Sequence, residues 1–317
     1  MMFPGQGSQV VGMGAELCAN SRAARAVFAE VDDALDMQLT RLMMEGPADQ
    51  LSLTSNAQPA LMAVGVATVR ALEAESGRDL ADLVDYVAGH SLGEYSALVV
   101  SGALGLRDCA RLLRLRGQAM QDAVPVGAGQ MAAIIGLDME AVEALVTDRT
   151  DEASPGFSND LAIANDNAPG QIVLAGTCQA IEAAILAAKK AGARRAVQLN
   201  VSAPFHCPLM QPAAERMEKA LVNTRIATPA IPVIANVTAR PVSDPDTICE
   251  LLIRQVCARV RWYDSMQFFC EAGGREALEA APGSVLCGLM RRIQPDLPRT
   301  ALATYGDLVA WCNEADA

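Results

Sequence analysis

Apolar and polar residues follow two different patterns along the chain, and the first extends over roughly residues 1–125. Apolar residues recur every three to four positions over 14–35, 56–77 and 107–123, which predicts three helices. The short apolar run Val84–Ala88 ends at a glycine and predicts a buried strand. Strands that alternate with helices are typical of a parallel sheet with helices on both faces.

The second pattern extends over residues 126–199, where apolar runs are shorter and closer together. The elements predicted there are, in order, a strand at 130–136, a helix at 139–147, strands at 162–165 and 171–175, a helix at 181–191 and a strand at 196–201. This β-α-β-β-α-β order is the ferredoxin-like pattern. We therefore predict a small ferredoxin-like domain, 126–199, inserted into a large domain made of 1–125 and 200–317.

The alternating pattern returns after residue 200. We predict helices over 209–222 and 247–256, and strands at 233–236, 285–289 and 300–303. These elements complete the large domain, and the whole chain is assigned to the α/β class.

Composition excludes several classes of protein. The 317 residues are 51% hydrophobic, so we expect most of the chain to fold around an extensive core rather than to be disordered. No apolar run approaches the roughly 18 residues of a membrane helix. The first residues also lack the basic and apolar regions of a secretory signal. We expect a cytoplasmic protein without membrane contact.

Charge and metal-ligand residues narrow the function further. The net charge is −12, with 25 basic and 37 acidic residues, so the overall field does not attract nucleic acid. The local exceptions are Lys189-Lys190 near Arg194-Arg195, and Arg291-Arg292, although most such pairs are solvated surface charge. Two histidines and nine scattered cysteines without a Cys-x-x-Cys pair predict neither a histidine-based metal site nor a disulfide framework.

Gly89-His90-Ser91-Leu92-Gly93 is the strongest candidate for chemistry. It fits Gly-x-Ser-x-Gly and lies between the predicted strand and an apolar helical segment that begins at Glu94. This is the context of a nucleophile elbow, in which a strained turn exposes the serine Oγ at a helix N-terminus. The alternative is a plain glycine-rich turn. In an elbow, the Leu92 N–H is the natural first donor to an oxyanion.

A serine nucleophile requires a base. His90 adjoins Ser91, but its direction out of the turn disfavours a productive hydrogen bond. His206 lies in a loop just past a predicted strand end, where sites form in parallel sheets. A lone histidine is usually structural, yet His206 is the base that remains. No acidic third member is evident, and a backbone carbonyl is an alternative partner.

Arg116 is the second candidate. At 100° per residue it falls on the apolar stripe of its helix, between Leu112, Leu113 and Met120, whereas Arg111 falls on the opposite side. A buried arginine is costly unless its charge has a partner. An internal salt bridge, a side chain that reaches solvent and a bound substrate carboxylate remain alternatives.

The segment Phe3-Pro4-Gly5-Gln6-Gly7-Ser8-Gln9 resembles a phosphate loop, but it lacks the third glycine and a following Gly-Lys-Ser/Thr. A tight turn that directs a backbone N–H into a site fits it better. A purely structural turn is the other alternative.

With these residues considered, the chain resembles the malonyl-CoA:acyl carrier protein transacylase family. The resemblance extends over nearly the whole chain and rests on segments in the family's order: Phe3-Pro4-Gly5-Gln6-Gly7-Ser8-Gln9, Gln58-Pro59-Ala60, Gly89-His90-Ser91-Leu92-Gly93-Glu94, Arg116-Gly117-x-x-Met120-Gln121, Asn167-x-Pro169-Gly170-Gln171, Phe205-His206 and Arg254-Gln255.

The resemblance implies an α/β-hydrolase-like large domain with a parallel sheet and the inserted ferredoxin-like domain. It implies Ser91 as the nucleophile, His206 as the base and Arg116 as the group that binds the malonyl carboxylate. The oxyanion hole would be the backbone N–H groups of Gln6 and Leu92.

The resemblance also implies that the main-chain carbonyl of Gln255 orients His206. The arginine pairs would border the surface that binds the carrier protein: Arg194, Arg195, Arg291 and Arg292. The implied substrates are malonyl-CoA and the phosphopantetheine arm of an acidic acyl carrier protein, with no bound cofactor or metal. A monomer is expected.

Two features depart from the family. The strand before the Phe3-Pro4 turn is short, and Phe205 stands before His206 where many bacterial members have serine. Phenylalanine there resembles the malonyl-selective domains of polyketide synthases, so fatty acid, polyketide and malonate decarboxylase contexts stay open. A serine hydrolase and a non-catalytic binding module are the alternatives from other classes.

Overall fold

The computed structural model describes residues 1–125, 127–147, 160–201, 203–280 and 282–315. Eleven strands lie within these residues: β1 (Met2–Phe3), β2 (Val87–Gly89), β3 (Gly129–Ile135), β4 (Leu161–Ala168), β5 (Gln171–Thr177), β6 (Arg195–Gln198), β7 (Val233–Ala235), β8 (Arg240–Val242), β9 (Val260–Arg261), β10 (Ala277–Glu279) and β11 (Arg299–Ala301).

The same residues contain fourteen α-helices: α1 (Ala15–Asn20), α2 (Arg22–Leu35), α3 (Leu39–Glu45), α4 (Ala48–Ser52), α5 (Thr54–Ser76), α6 (Gly93–Val100), α7 (Leu106–Asp122), α8 (Met139–Thr147), α9 (Cys178–Lys190), α10 (Gln211–Leu221), α11 (Pro245–Gln255), α12 (Trp262–Glu271), α13 (Val285–Ile293) and α14 (Tyr305–Ala315). Among them, none combines the length and the apolar content that spanning a lipid bilayer requires.

Six strands form one sheet in the order β11-β10-β1-β2-β7-β8. All neighbouring pairs are parallel except β7 and β8. Alternate residues of a strand point to opposite faces. Met2 and Ala88 accordingly belong to the core cluster formed with α12 and α13, while Phe3 and Val87 belong to the cluster formed with α5, α6 and α7. The parallel sheet is therefore covered on both faces, as its apolar strands predict.

The other five strands form a second sheet in the order β6-β3-β5-β4-β9. Within it, β3 pairs antiparallel with β5 and β6, and β4 pairs antiparallel with β5. The helices α8 and α9 supply apolar residues to its separate core cluster. The elements between 129 and 198 thus have the order β-α-β-β-α-β. The fifth strand, β9, comes from the later part of the chain and joins β4 in parallel.

The prediction of a strand at 285–289 is wrong, because these residues begin the helix α13. Its buried residues Leu286, Leu289, Met290 and Ile293 recur at helical spacing. The Glu279 carboxylate also accepts hydrogen bonds from the Leu286 and Cys287 N–H groups, which have no partner at a helix start. A short apolar run does not distinguish the two periods, and the strand of this region is β10.

Two other predicted elements differ in extent. The helix predicted over 14–35 is divided at Ser21, whose side chain caps α2 by accepting from the Ala24 N–H. The strand predicted at Val84–Ala88 is shifted to β2, closer to the glycine turn. The elements without a predicted counterpart are the helices α3, α4, α12 and α14 and the strands β8, β9 and β10.

Candidate active site

The turn between β2 and α6 has the geometry of a nucleophile elbow. Ser91 has a φ of 54°, in the left-handed region that non-glycine residues rarely adopt. A Cβ on Gly93 would lie 2.1 Å from the Phe3 carbonyl oxygen, and one on Gly89 would lie 1.8 Å from the Gly93 carbonyl carbon. Only glycine fits at either position, which explains why this motif surrounds the serine.

Ser91 and His206 are in direct contact. The Ser91 Oγ lies 2.7 Å from His206 Nε2, and His206 Nδ1 lies 2.9 Å from the Gln255 main-chain oxygen. Because a carbonyl only accepts, Nδ1 carries the proton and Nε2 is left to accept from the serine hydroxyl. The third member is therefore a backbone carbonyl rather than a carboxylate.

The electrostatic surroundings keep His206 neutral. Burial lowers the pKa of His206 to about 3, and the positive charge of Arg116 acts in the same direction. The imidazole is consequently in its basic form at neutral pH. Loss of the Arg116 positive charge would raise the pKa of His206.

His90 occupies a different environment. Its Nε2 lies 2.8 Å from Asn167 Oδ1 on β4, and its ring lies 5.7 Å from that of Trp262. Burial lowers the pKa of His90, opposed by its hydrogen bond to Asn167. The side chain thus connects the elbow to the five-stranded sheet instead of contacting Ser91 Oγ.

Arg116 is buried beside Ser91 with 1% of its surface exposed. Its Nη1 donates to Gln58 Oε1 at 2.9 Å, and its Nη2 donates to Gln255 Oε1 at 2.8 Å and to Ser91 Oγ at 3.2 Å. As predicted, it shares the buried stripe of α7, while Arg111 is exposed.

No carboxylate contacts this arginine among the residues that the structure describes. The ion pairs there involve other arginines, and Arg116 Nε has no hydrogen-bond partner within the described part of the chain. Both structural alternatives, an internal salt bridge and a side chain that reaches solvent, are therefore unsupported. Burial lowers the pKa of Arg116, whereas Tyr95 and Glu94 raise it.

Glu94, which sequence reasoning did not assign, forms a buried hydrogen-bonded pair with the side chain of Gln255, a residue predicted only for its main-chain carbonyl. Gln255 Nε2 donates to Glu94 Oε2 at 2.8 Å and to the Ser91 carbonyl oxygen at 3.0 Å. Burial raises the pKa of Glu94 to about 7, against the hydrogen bond from Gln255 and the charge of Arg116. Glu94 belongs to the quoted Gly89–Glu94 segment, so a signal for it was present.

Asn236 is a second residue that the sequence did not single out. It follows β7 directly, and its side chain contacts the backbone on both sides of His90, at Gly89 and Ser91. A polar residue immediately after a buried apolar strand was the available signal, since such positions lie at the carboxyl edge of a parallel sheet.

Ser91 and His206 open into a cleft of about 370 Å³ that is also lined by Gln6 and Phe205 on one side and Met131, Asn165 and Leu199 on the other. The cleft therefore lies between the two sheets. Within the described part of the chain, neither the Gln6 N–H nor the Leu92 N–H donates a hydrogen bond. Both remain available to a ligand atom. Groups of three or more metal-ligating side chains are absent among the described residues.

The four arginines predicted for carrier binding are exposed. Arg195 on β6 pairs with Ile135, which pairs on its other side with Gln171, and Gln171 Oε1 accepts from Arg292 Nη1 at 3.1 Å. Two basic pairs that are distant in sequence are thereby brought to one end of the five-stranded sheet.

Comparisons with known proteins show which family the chain belongs to. A family profile described as acyl transferase domain matches residues 1–299. A curated malonyl CoA-acyl carrier protein transacylase of Bacillus subtilis (strain 168) is 43% identical over 302 residues, 95% of this chain and 92% of the relative. An acyl-carrier-protein-S-malonyltransferase from Bartonella henselae superposes with a TM-score of 0.94 at 48% identity, covering 100% of this chain and 98% of that one.

A solved complex described as a type II PKS acyl-carrier protein with its malonyl-transacylase is also similar. The TM-score is 0.92 at 39% identity, covering 99% of this chain and 98% of the matched chain.

Proposed function

The chain belongs to the acyl transferase domain family and is an acyltransferase, and from this premise we propose that it transfers a malonyl group from malonyl-CoA to the phosphopantetheine thiol of an acyl carrier protein. The transfer supplies fatty acid or polyketide synthesis. The observation that carries the proposal is a buried arginine without a carboxylate partner among the described residues, 3.2 Å from the Oγ of a serine paired with histidine.

In the first half-reaction, Ser91 Oγ attacks the malonyl thioester while its proton passes to His206 Nε2. The 2.7 Å contact and the fixed tautomer of His206 support this role. The oxyanion accepts hydrogen bonds from the N–H groups of Gln6 and Leu92, and Leu92 lies at the N-terminus of α6. The carbon–sulfur bond then breaks, and the imidazolium returns the proton to the coenzyme A thiolate. A malonyl ester on Ser91 remains.

The second half-reaction reverses these steps with a different thiol. The phosphopantetheine thiol gives its proton to His206 and attacks the malonyl ester. The carbon–oxygen bond breaks, and the proton returns to Ser91 Oγ. Each half-reaction leaves His206 neutral, so the exchange requires no added co-reactant.

Arg116 selects acyl groups that end in a carboxylate. A guanidinium binds a carboxylate through parallel hydrogen bonds, and Gln58 and Gln255 hold this one in a fixed direction. The bound carboxylate also offsets the positive charge that lowers the pKa of His206. A bound malonyl donor would thereby raise the pKa of His206 and make it a stronger base, whereas an acetyl donor would not.

The row from Arg195 to Arg292 is proposed to bind the acidic carrier protein. Leu199 on the same segment as Arg195 lines the cleft, four residues further along. At about 3.3 Å per residue this places the basic row roughly 13 Å from the cleft wall. An extended phosphopantetheine arm suits such a separation. Arg194 and Arg291 adjoin the row.

The domain division stays our proposal. The six-stranded and five-stranded sheets support an α/β-hydrolase-like domain of 1–125 and 200–317 with an inserted ferredoxin-like domain, 126–199. The strand β9 modifies this division, because it belongs by sequence to the large part and by pairing to the small sheet. A monomer in the cytoplasm remains a prediction from the sequence.

The proposal is tested by intact-mass measurement. Mixing with malonyl-CoA is expected to add the mass of one malonyl group, and Ser91→Ala is expected to show no adduct. Addition of a phosphopantetheine-bearing carrier protein should then remove the adduct and yield malonyl carrier.

Two results would contradict the proposal. If Ser91→Ala acquires the same adduct, the nucleophile is another residue. If free malonate appears in place of malonyl carrier, the chain is a serine hydrolase. Offering malonyl-, methylmalonyl- and acetyl-CoA together measures the donor preference in the same assay.

A further inference from the structure

Asn236 is a buried side chain with no part in the transfer mechanism above, although it lies beneath the nucleophile. It is 1% exposed. Its Oδ1 accepts from the Ser91 N–H at 2.7 Å, and its Nδ2 donates to the Gly89 carbonyl oxygen at 2.6 Å. Both contacts are short, and both are made to backbone groups of the elbow.

The two contacts reproduce the bonding pattern of a parallel strand. In a parallel pair, a residue makes two hydrogen bonds to the neighbours of the residue opposite it. Its N–H donates to the carbonyl of the preceding residue, and its own carbonyl accepts from the N–H of the following residue. The register pairs Val87 with Val233 and Ala88 with Ile234, which brings Asn236 opposite His90. Because a carboxamide presents the same donor and acceptor as a peptide group, the side chain continues the ladder after the backbone of β2 has left it.

We propose that Asn236 is a positioning residue that holds Ser91 in its left-handed conformation and so directs Oγ toward His206 Nε2. The inference rests on the proposed role of Ser91. A non-glycine residue at φ 54° persists only where its surroundings fix it. Asn236 does so from both sides of the turn.

The same contacts determine which backbone N–H groups of the elbow are available to an oxyanion. The Ser91 N–H is bonded to Asn236 and is unavailable to an oxyanion, whereas the Leu92 N–H has no hydrogen bond to any described residue. Asn236 also ties the elbow to its surroundings, since its own N–H donates to Glu94 Oε2 at 3.1 Å and its carbonyl accepts from the Arg261 N–H at 3.1 Å. The serine is therefore held between α6, β7 and β9.

The first test compares Asn236→Ala with Thr68→Ala. Thr68 is also 1% exposed and bonded to a backbone carbonyl, but lies within α5. Asn236→Ala is expected to lower kcat for malonyl transfer roughly tenfold to a hundredfold, the cost of a misplaced reacting group, with little change in KM for malonyl-CoA. Thr68→Ala is expected to leave kcat near the wild-type value when both proteins are fully folded.

A fluorophosphonate probe separates this inference from the proposed function. The probe labels an activated serine whichever acyl donor is native, so wild-type labelling at Ser91 is independent of malonyl-CoA. Slower labelling of Asn236→Ala supports the positioning role even if the native donor proves different. Labelling at the wild-type rate overturns it.

The second test uses Asn236→Asp, which keeps the shape of the side chain if the alanine variant fails to fold. A protonated aspartic acid accepts from Ser91 and donates to Gly89, as asparagine does, whereas an ionised one has no donor. The ratio of variant to wild-type kcat is therefore expected to rise as the pH falls. Both proteins are to be compared only where circular dichroism shows them folded.

Among the described residues, the charged or titratable side chains on the elements around Asn236 are Glu94 on α6, Arg261 on β9, Arg240 on β8 and His90 in the elbow. They are the same in both proteins, so the ratio reports the substituted side chain. A purely structural role would lower the midpoint of thermal unfolding but leave this ratio of kcat independent of pH. A flat ratio therefore overturns the inference.

Discussion

The two sheets contribute to the cleft in different ways. The six-stranded, largely parallel sheet and its helices supply groups that are buried and bonded to one another: Ser91 on its elbow, Asn236 at the end of β7 and Gln255 at the end of α11. The five-stranded, largely antiparallel sheet supplies one wall of the cleft, with Asn165 and Met131, and a row of exposed arginines at its end.

We infer from this difference that the proposed chemistry and the proposed recognition of the carrier lie in separate parts of the molecule. Hydrogen bonds between buried groups are stronger at low dielectric and little screened, so they hold the groups they join in defined positions. Exposed charges act through solvent and are weakened by salt, so they influence encounter more than the bond-breaking step. Substitutions beside the parallel sheet should alter kcat at any ionic strength, while substitutions in the arginine row should alter the KM for the carrier.

The largest effect is expected at His206. Removal of a general base typically costs 10²–10⁴-fold in rate, and His206→Gln should lower malonyl loading of Ser91 by a factor in that range. His90→Gln is the matched control, since His90 is the other histidine and bonds Asn167 rather than Ser91 Oγ. Stopped-flow loading rates measure both. An equal loss in the two variants would remove the distinction between them.

His206 should also control stability in acid. Its folded pKa of about 3 is below the ordinary 6.5, so the unfolded chain binds an extra proton in this window. This contribution to stability is complete above pH 6.5 and is lost progressively as the pH falls toward 3. Below pH 6.5, the thermal midpoint of the wild type should therefore fall relative to that of His206→Gln. Parallel curves would contradict the low pKa.

The contribution of Glu94 to the stability of the fold changes with pH in the opposite direction. Because its folded pKa of about 7 lies above the ordinary 4.5, its contribution is complete below pH 4.5 and is lost as the pH rises to 7. It is present in both proteins, so the difference between their midpoints reports His206.

The next largest effect concerns the donor. Arg116→Ala is expected to slow malonyl transfer roughly tenfold to a hundredfold more than acetyl transfer, because one charge-assisted hydrogen bond is worth about 1.5–3 kcal/mol. Arg111→Ala, on the exposed face of the same helix, is the control and should affect neither. Rates with malonyl- and acetyl-CoA measure the ratio. Equal losses for both donors would exclude the carboxylate role.

The smallest effect is expected at the end of the five-stranded sheet. An exposed charge pair contributes about 0.2–1 kcal/mol, so Arg195→Ala with Arg292→Ala should raise the KM for the carrier only a few-fold, and less at high salt. Malonyl loading of Ser91 should not change. Arg41→Ala, another exposed arginine, is the control. A change in loading rate, or an effect independent of salt, would place these arginines in the chemistry instead.

The parts of the site that were predictable are those with a local signal. Ser91 has glycines at fixed spacing, and these are required because any Cβ would strike the backbone of Phe3 or Gly93. Arg116 stands out because a charge on an apolar helical stripe is visible without knowing its neighbours. His206 was inferred because Ser91 required a base and one histidine remained.

The parts that were missed depend on contacts between distant segments. Asn236 is an ordinary residue until β7 lies beside β2 and its carboxamide meets the elbow. Arg195 and Arg292 were both named from the resemblance, but their proximity through Ile135 and Gln171 likewise requires the sheet register. The helix α13 was assigned as a strand because a short apolar run has no distinct period, and the Glu279 carboxylate that caps it lies seven residues before Leu286, outside the usual spacing of a local helix cap.

The sequence by itself determined the elbow, the stripe of α7 and the alternation of strands and helices, because each arises from steric and hydrophobic preferences within a few residues. Only the tertiary structure decided that Arg116 reaches Ser91 Oγ with no ion pair to a carboxylate of the described residues, that the Gln255 carbonyl sets the tautomer of His206, and that Asn236 bonds the backbone on both sides of His90. Hydrogen bonds are directional over about 3 Å, so they form only after packing has brought these segments together.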